Sequence, residues 1–87
     1  MKFDQIFKIV QDSIMDVLPD IQREEINIED SLSNLGANSI DRMDIIINSM
    51  EGVELKIPLV EFGELKNIKG IVSLLYDKKM KDTLMDE

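Results

Sequence analysis

Two stretches of this chain repeat apolar residues at helical spacing, and this pattern limits the possible folds more than any other feature. Residues 3–18 and 68–80 carry bulky apolar side chains at intervals of three and four, as a helix with one buried face requires. Only 5% of the residues are aromatic while 44% are apolar, so the core must be aliphatic. Such a core suits helices packed on helices. The apolar positions are Phe3, Ile6, Phe7, Val10, Ile14, Val17 and Leu18, then Ile68, Ile71, Val72, Leu74 and Leu75.

The segments between these stretches predict two further helices. Pro19 ends the first helix, because the residue before a proline disfavours helical backbone. Residues 19–38 lack any sustained period and predict a long loop, with spaced aliphatic residues that pack on the core. A second helix is expected from Ser39 to Glu51 with its end at Gly52, then an extended link to Pro58 and a short helix over 59–65. We therefore expect an all-α four-helix bundle in residues 1–80 and a disordered tail in residues 81–87.

Charge and composition exclude several functions. The net charge is −8, and residues 1–64 hold 14 of the 18 acidic side chains, so nucleic acids and anionic membranes are poor partners. Cys and His are both absent, which removes disulfides, cysteine metal sites and the commonest general base. No apolar run approaches the roughly 20 residues that span a bilayer, and no secretory signal is visible. A soluble, cytoplasmic protein is expected.

The segment 35–41, Leu-Gly-Ala-Asn-Ser-Ile-Asp, carries the most informative pattern. Asn38 is a strong helix N-cap, and Asp41 can reach back to it as in a capping box. Ser39 then becomes the first helical residue, and its hydroxyl faces solvent where a helix N-terminus favours a phosphate. Gly36 allows the tight turn before the cap. The alternative is that Ser39 is itself the cap, which would leave its hydroxyl with a structural role only.

This segment resembles the attachment motif of the acyl carrier protein family. Residues 67–75, Asn-Ile-Lys-Gly-Ile-Val-Ser-Leu-Leu, resemble the family's entry into its last helix, and the resemblance extends over about residues 3–80. It implies that a phosphopantetheinyl transferase joins 4′-phosphopantetheine to Ser39, and that the thiol of this arm holds acyl groups as thioesters. The chain would be a substrate of enzymes, not an enzyme, and we expect a monomer.

One residue of the motif departs from the usual family pattern, and the residues around it resemble one branch of the family. The family usually has Asp where this chain has Asn38, which keeps the capping oxygen but removes a charge beside Ser39. The run Gly-Ala-Asn-Ser-Ile-Asp-Arg is similar to free-standing carriers of polyketide β-branching cassettes. The resemblance implies a carrier that receives malonyl from an acyltransferase and holds acetyl after a ketosynthase-like decarboxylase has acted. A hydroxymethylglutaryl-synthase-like enzyme then condenses this acetyl with a β-keto chain on another carrier.

The second helix gives conflicting indications about its exposed face. Ile40, Met43, Ile46, Ile47 and Met50 form one apolar stripe, which periodicity alone would turn toward the core. The family register instead places the positions of Ile45 and Ile46 inside and leaves those of Ile40, Met43 and Ile47 partly exposed. Both interpretations stay open, but we favour the family register. It predicts a partner surface made of Asn38, Ile40, Asp41, Arg42, Met43, Asp44, Ile47 and Glu51.

Other classes of function fit less well. Residues 30–41 have the length of an EF-hand calcium loop, but Leu32 and Leu35 occupy positions that need a ligand and a glycine. A serine hydrolase would need a base, and the chain has no His. A helical interaction module without a prosthetic group remains an alternative, as does a general carrier of the fatty-acid type.

Overall fold

A computed structural model describes the backbone of residues 1–65 and 67–85, and the side chains of 1–65 and 67–82. Within these residues the chain forms three α-helices: α1 (Phe3–Val17), α2 (Ser39–Val53) and α3 (Ile68–Met85). Two short 3-10 helices join them, η1 (Arg23–Glu25) and η2 (Leu59–Phe62). The all-helical class is confirmed, and none of the described helices is long and apolar enough to cross a membrane.

The expected four-helix count is not confirmed for the described residues, because the short third helix expected over 59–65 is a 3-10 turn, η2. In η2 the amide of Glu61 donates to the carbonyl of Pro58 at 3.0 Å, and that of Gly63 donates to Val60 at 3.2 Å. These bonds span three residues instead of four, as in a 3-10 helix. Pro58 precedes the turn and Gly63 follows it, so only four residues are available.

The core is aliphatic, as composition predicted. Residues from all three α-helices meet there, and Phe62 from η2 is the largest of the fully buried side chains. The long first loop adds Ile26 and Leu32, which confirms that it packs on the core. The buried apolar residues are Ile6, Val10, Ile14, Ile26, Leu32, Ile45, Ile46, Met50, Val53, Ile57, Phe62, Ile68, Ile71, Val72 and Leu75.

Hydrogen bonds tie the first loop to the start of α3. The amide of Ile68 donates to the carbonyl of Asp30 at 2.8 Å, and that of Lys69 donates to Ile28 at 2.7 Å. The side chain of Asn67 then accepts from the amide of Gly70 at 2.9 Å. The first N–H groups of a helix have no partner within it, so the loop supplies what α3 lacks. These bonds hold the start of α3 against the first loop.

Helix α2 continues past Gly52, so the expected end at that residue is wrong. A Cβ on Gly52 would lie 2.6 Å from Cγ2 of Ile9, so this glycine permits the close approach of α1 and α2. The helix ends instead at Val53, and its C-cap residue Glu54 is left-handed, with φ of 58° and ψ of 48°. The ammonium of Lys79 on α3 donates to the carbonyl of Val53 at 2.8 Å, where a cation also favours the helix dipole.

Helix α3 is longer than its sequence pattern indicated. The apolar spacing predicted a helix over 68–80, whereas α3 runs from Ile68 to Met85. Residues 86 and 87, the end of the expected tail, lie outside the described residues. The domain limit at residue 80 and the disorder of the tail both remain predictions.

Candidate functional site

The start of α2 is fixed by a reciprocal capping box. The side-chain oxygen Oδ1 of Asn38 accepts from the amide of Asp41 at 2.8 Å. The carboxylate of Asp41 accepts in turn from the amide of Asn38 at 3.2 Å. Asn38 has φ of −85° and ψ of −176°, so it is extended and Ser39 is the first helical residue. The predicted cap is confirmed, and the alternative in which Ser39 performs the capping is wrong.

The Ser39 hydroxyl is exposed and has no partner within the described part of the chain. Its residue is solvent-exposed, and its Oγ takes part in none of the hydrogen bonds formed by described residues. Two other helical serines differ from Ser39, because their hydroxyls donate to carbonyls of their own helices. Ser13 donates to Ile9 at 3.0 Å, and the fully buried Ser49 donates to Ile45 at 2.7 Å. Ser39 is therefore open to an external enzyme.

Two cavities meet at Ser39. The first, which we call the polar cleft, has a volume of about 680 Å³ and lies between the first loop, the start of α2, residues 63–65 and Asn67. The second, which we call the apolar groove, has about 130 Å³ and lies between α2 and η2. The cleft is lined by Ser31, Leu32, Ser33, Ala37, Asn38, Ser39, Arg42, Gly63, Glu64, Leu65, Asn67 and Ile71. The groove is lined by Ser39, Arg42, Met43, Ile46, Leu59, Phe62 and Gly63.

Arg42 lies between these cavities and is bonded to the backbone that follows η2. Its Nη2 donates to the carbonyl of Phe62 at 3.0 Å and to that of Leu65 at 2.9 Å. The sequence suggested a role for Arg42 in partner binding, and that role stays a prediction. What the structure adds is an internal contact that holds the segment 62–65 against the first turn of α2.

The apolar stripe of α2 divides as the family register predicted. Ile45 and Ile46 are buried, at 0% and 4% exposure, and Met50 is buried too. Ile40 is 71% exposed and Met43 50%, and Ile47 also faces solvent. The alternative in which the whole stripe is core is wrong. Asp44 and Glu51 are exposed beside these residues, while Asp41 is half-buried in its capping role.

The sequence analysis missed part of this surface. Leu59 and Val60 in η2 are both exposed, Val60 by 82%, and Leu59 lines the apolar groove together with Met43. Pro58 stands immediately before the apolar residues Leu59 and Val60, and this pattern could have predicted their exposure. A turn of four residues that begins after a proline cannot bury all of its side chains. Ile47 borders a third cavity of about 470 Å³ with Leu55, Ile57 and Pro58.

No group of three acidic side chains in the described residues is arranged to hold a metal ion. The arrangement does fit a covalently attached arm. An exposed hydroxyl without a partner among the described residues stands at the mouth of a cleft whose volume is typical of small-ligand sites, which measure about 300–1,000 Å³.

Comparison with known proteins agrees with this geometry. The model of the family described as phosphopantetheine attachment site matches residues 8–75. This chain therefore belongs to the acyl carrier family, which the sequence had indicated. The cofactor of this family is covalently attached 4′-phosphopantetheine, so the expected cofactor and the role as an acyl carrier are confirmed.

Two similar proteins are informative about the branch of the family. The polyketide biosynthesis acyl-carrier-protein AcpK of Bacillus subtilis (strain 168) is 40% identical over 78 residues, covering 90% of this chain and 95% of AcpK. A chain in the crystal structure of the curacin biosynthetic pathway HMG synthase in complex with acetyl donor-ACP superposes with a TM-score of 0.77. That chain is 32% identical, and the match covers 87% of this chain and 96% of the other.

Proposed function

We propose that Ser39 is the residue that receives 4′-phosphopantetheine, and that this protein carries acyl groups for β-branching in polyketide biosynthesis. The assignment of Ser39 rests on its exposed hydroxyl, which lies beside the polar cleft and has no hydrogen-bond partner among the described residues. When bound, the arm supplies a thiol that this chain lacks, since it contains no Cys.

The first turn of α2 is suited to the phosphate of such an arm. The amide of Asp41 is occupied by the Asn38 cap, which leaves the earlier N–H groups of Ser39 and Ile40 without an intrahelical partner. Free N–H groups and the helix dipole both favour negative charge at that point. The cap thus fixes the helix end while leaving the amides beside Ser39 available.

Intact mass spectrometry tests the attachment residue. After incubation with coenzyme A and a promiscuous phosphopantetheinyl transferase, we expect the mass to rise by one arm. Ser39→Ala should remove this gain. Ser33→Ala is the matched control, because Ser33 is also exposed on the polar cleft and should leave the gain intact. Loss of the gain in Ser33→Ala but not in Ser39→Ala would move the attachment site and refute the assignment.

The β-branching role is supported by the two relatives. One is a polyketide carrier, and the other match is to a structure of an HMG synthase with an acetyl donor carrier. The structural match covers 96% of the other chain and 87% of this one, so the other chain is no longer than this one. This is expected if the matched chain is the carrier of that complex. In this role an acyltransferase transfers malonyl to the thiol of the arm, a ketosynthase-like decarboxylase removes CO₂ from the bound malonyl to leave acetyl, and the carrier presents this acetyl to a hydroxymethylglutaryl-synthase-like enzyme. The proposal includes the cytoplasmic location and monomeric state expected from the sequence.

The exposed stripe of α2 is the proposed surface for these enzymes. Ile40, Met43 and Ile47 offer an apolar contact next to Ser39, and Asp44 and Glu51 give it a negative border. An exposed apolar patch with a charged rim is typical of a binding site. A partner with a basic rim around an apolar depression would match it, and its association should weaken as salt screens the rim.

Transfer of acetyl from the loaded carrier to a hydroxymethylglutaryl-synthase-like enzyme tests this surface. We expect Met43→Glu to raise the KM for the carrier at least about tenfold, because a charge replaces an apolar contact at the interface centre. Met80→Glu is the matched control, since Met80 on α3 is exposed to a similar extent, 41% against 50%. Equal KM values for the two variants would contradict docking through α2.

The same assay separates the proposed role from the fatty-acid alternative. A β-branching donor should deliver acetyl to the synthase efficiently. A general carrier of the fatty-acid type should instead serve chain-elongating enzymes and fail with the synthase.

A further inference from the structure

The boundary between the polar cleft and the apolar groove is formed by few residues. The two cavities share Ser39, Arg42 and Gly63, so a group attached to Ser39 stands at the entrance to both. Arg42 is the one charged residue that the two cavities share, and Glu64 is the other charged residue in the lining of the cleft. Which cavity an attached group can enter therefore depends on how this boundary is held.

Arg42 holds the boundary by connecting elements that are distant in sequence. Its Nη2 bonds to the carbonyls of Phe62 and Leu65, 20 and 23 residues away, at 3.0 and 2.9 Å. Hydrogen bonds from a charged donor are stronger than neutral ones. The core holds η2 through the buried ring of Phe62. A further polar side-chain contact between η2 and the described helices is the exposed ion pair of Lys78 and Glu61 at 3.5 Å, and such exposed pairs contribute little.

The two cavities differ in what they can accept. The groove of about 130 Å³ is too small for most ligands, but its base is formed by Ile46 and Phe62, which are 4% and 1% exposed and belong to the core. The polar cleft is larger, and its edge carries Ser31, Ser33 and Asn67. Of its apolar residues, Leu32 and Ile71 are almost fully buried already, so the contact left for a hydrocarbon chain comes from the half-buried Ala37 and Leu65.

We propose that Arg42 acts as a latch that keeps the core closed to the cargo, so that the carrier favours short acyl groups, which stay in the polar cleft. With the latch in place, the groove of about 130 Å³ is too small to bury an apolar chain longer than a few carbons. Without it, the backbone of residues 62–65 loses its bonds to α2, although the Phe62 ring stays in the core, and the groove can widen toward Ile46. This inference rests on the proposed function, because it requires the acyl group to be attached at Ser39.

Thermal unfolding of loaded carriers tests the latch. Acetyl- and octanoyl-coenzyme A, with a promiscuous transferase, give two loaded forms, and mass spectrometry first verifies the load on each. In the wild-type protein we expect the two forms to have the same Tm within about 2 °C. In Arg42→Ala the octanoyl form should be more stable than the acetyl form by about 4 °C or more, the shift typical of a modest gain in apolar burial for a domain of this size.

Lys78→Ala provides the matched control. It removes the ion pair with Glu61 and loosens η2 without touching the latch. The Tm of this variant should not depend on acyl length. Arg42→Lys gives a second measurement if Arg42→Ala fails to fold, because an ammonium reaches fewer acceptors than a guanidinium and should give an intermediate dependence.

Nuclear magnetic resonance of the loaded wild-type protein locates the cargo directly. Loading with acetyl should shift the amide signals of Ser31, Ser33 and Asn67 in the cleft, while those of Leu59 and Phe62 stay unchanged. Octanoyl-dependent stabilisation of the wild-type protein, or shifts centred on Leu59 and Phe62, would overturn the latch. A Tm of Arg42→Ala that is independent of acyl length would also overturn it. Failure of any load to attach at Ser39 is a different result, which refutes the attachment and with it the latch.

Discussion

Replacing Gly52 by alanine should destabilise the protein, although alanine is the better helix former. In an unconstrained helix the change contributes about 0.5–1 kcal/mol of stability. Here the new Cβ would lie 2.6 Å from Cγ2 of Ile9, far inside contact distance, and Cγ2 sits on a branched carbon with little freedom to move. Overpacking of this kind costs about 1–3 kcal/mol. We therefore expect Gly52→Ala to lower the free energy of unfolding by about 0.5–2 kcal/mol.

Removing the opposing methyl group should reverse the sign of this effect. In an Ile9→Ala background the methyl group introduced by Gly52→Ala no longer meets a Cγ2 atom on α1. There Gly52→Ala should raise the free energy of unfolding by about 0.5–1 kcal/mol, the helix-propensity gain. The two substitutions should thus couple by about 1–3 kcal/mol, within the range seen for residues in direct contact.

Urea unfolding followed by circular dichroism measures this double-mutant cycle, and it applies to a domain small enough for two-state analysis. Gly70→Ala is the matched control, because a Cβ there meets its nearest atom, Cδ2 of Leu65, at 3.4 Å. It should stabilise α3 equally in both backgrounds. If Gly52→Ala stabilises the wild-type protein, or if its effect adds to that of Ile9→Ala within about 0.5 kcal/mol, the contact does not govern the packing of α1 on α2.

Three further substitutions test the ends of α2 and the turn before it. Glu54→Gly should raise Tm by about 4–8 °C, because glycine relieves the left-handed φ of 58°; an unchanged Tm in a thermal scan would contradict this. Gly36→Ala should cost about 1–2 kcal/mol in urea unfolding through its φ of 96° alone, since a Cβ there meets nothing within 4 Å, and a variant as stable as wild type would refute the strain. Asn38→Ala should lower the free energy of unfolding by about 1 kcal/mol in the same assay, because the cap is lost. Asn38→Ser keeps a capping oxygen and should be nearly as stable as the wild type; a serine variant as unstable as Asn38→Ala would contradict the capping role.

Local sequence was enough to predict the start of α2. Asn38, Ser39 and Asp41 lie within one helical turn, so their capping bonds depend on spacing alone and follow from the residue types. The same applies to the end of α1 before Pro19 and to the aliphatic core. The two helix ends depend on residues that are neighbours in the chain, and the aliphatic core follows from the composition as a whole.

The division of the α2 stripe needed more than periodicity. Ile40 and Ile45 are the same residue type, yet one is 71% exposed and the other fully buried. Apolar residues at a partner surface and in a core give the same hydrophobic signal, so spacing alone turned the wrong side inward. The motif around Ser39 set the register, and the exposed residues of η2 escaped notice because no motif covered them.

The sequence by itself determined the helical class, the aliphatic core, the cap at Asn38 and the free hydroxyl of Ser39, because each depends on composition or on residues within one turn. Tertiary structure alone decided that Gly52 lies inside a helix against Ile9, that Arg42 bonds to carbonyls 20 and 23 residues away, and that Ser39 stands between two cavities. These features arise from the approach of segments far apart in the chain, and a local pattern contains no information about which distant backbone a side chain will meet.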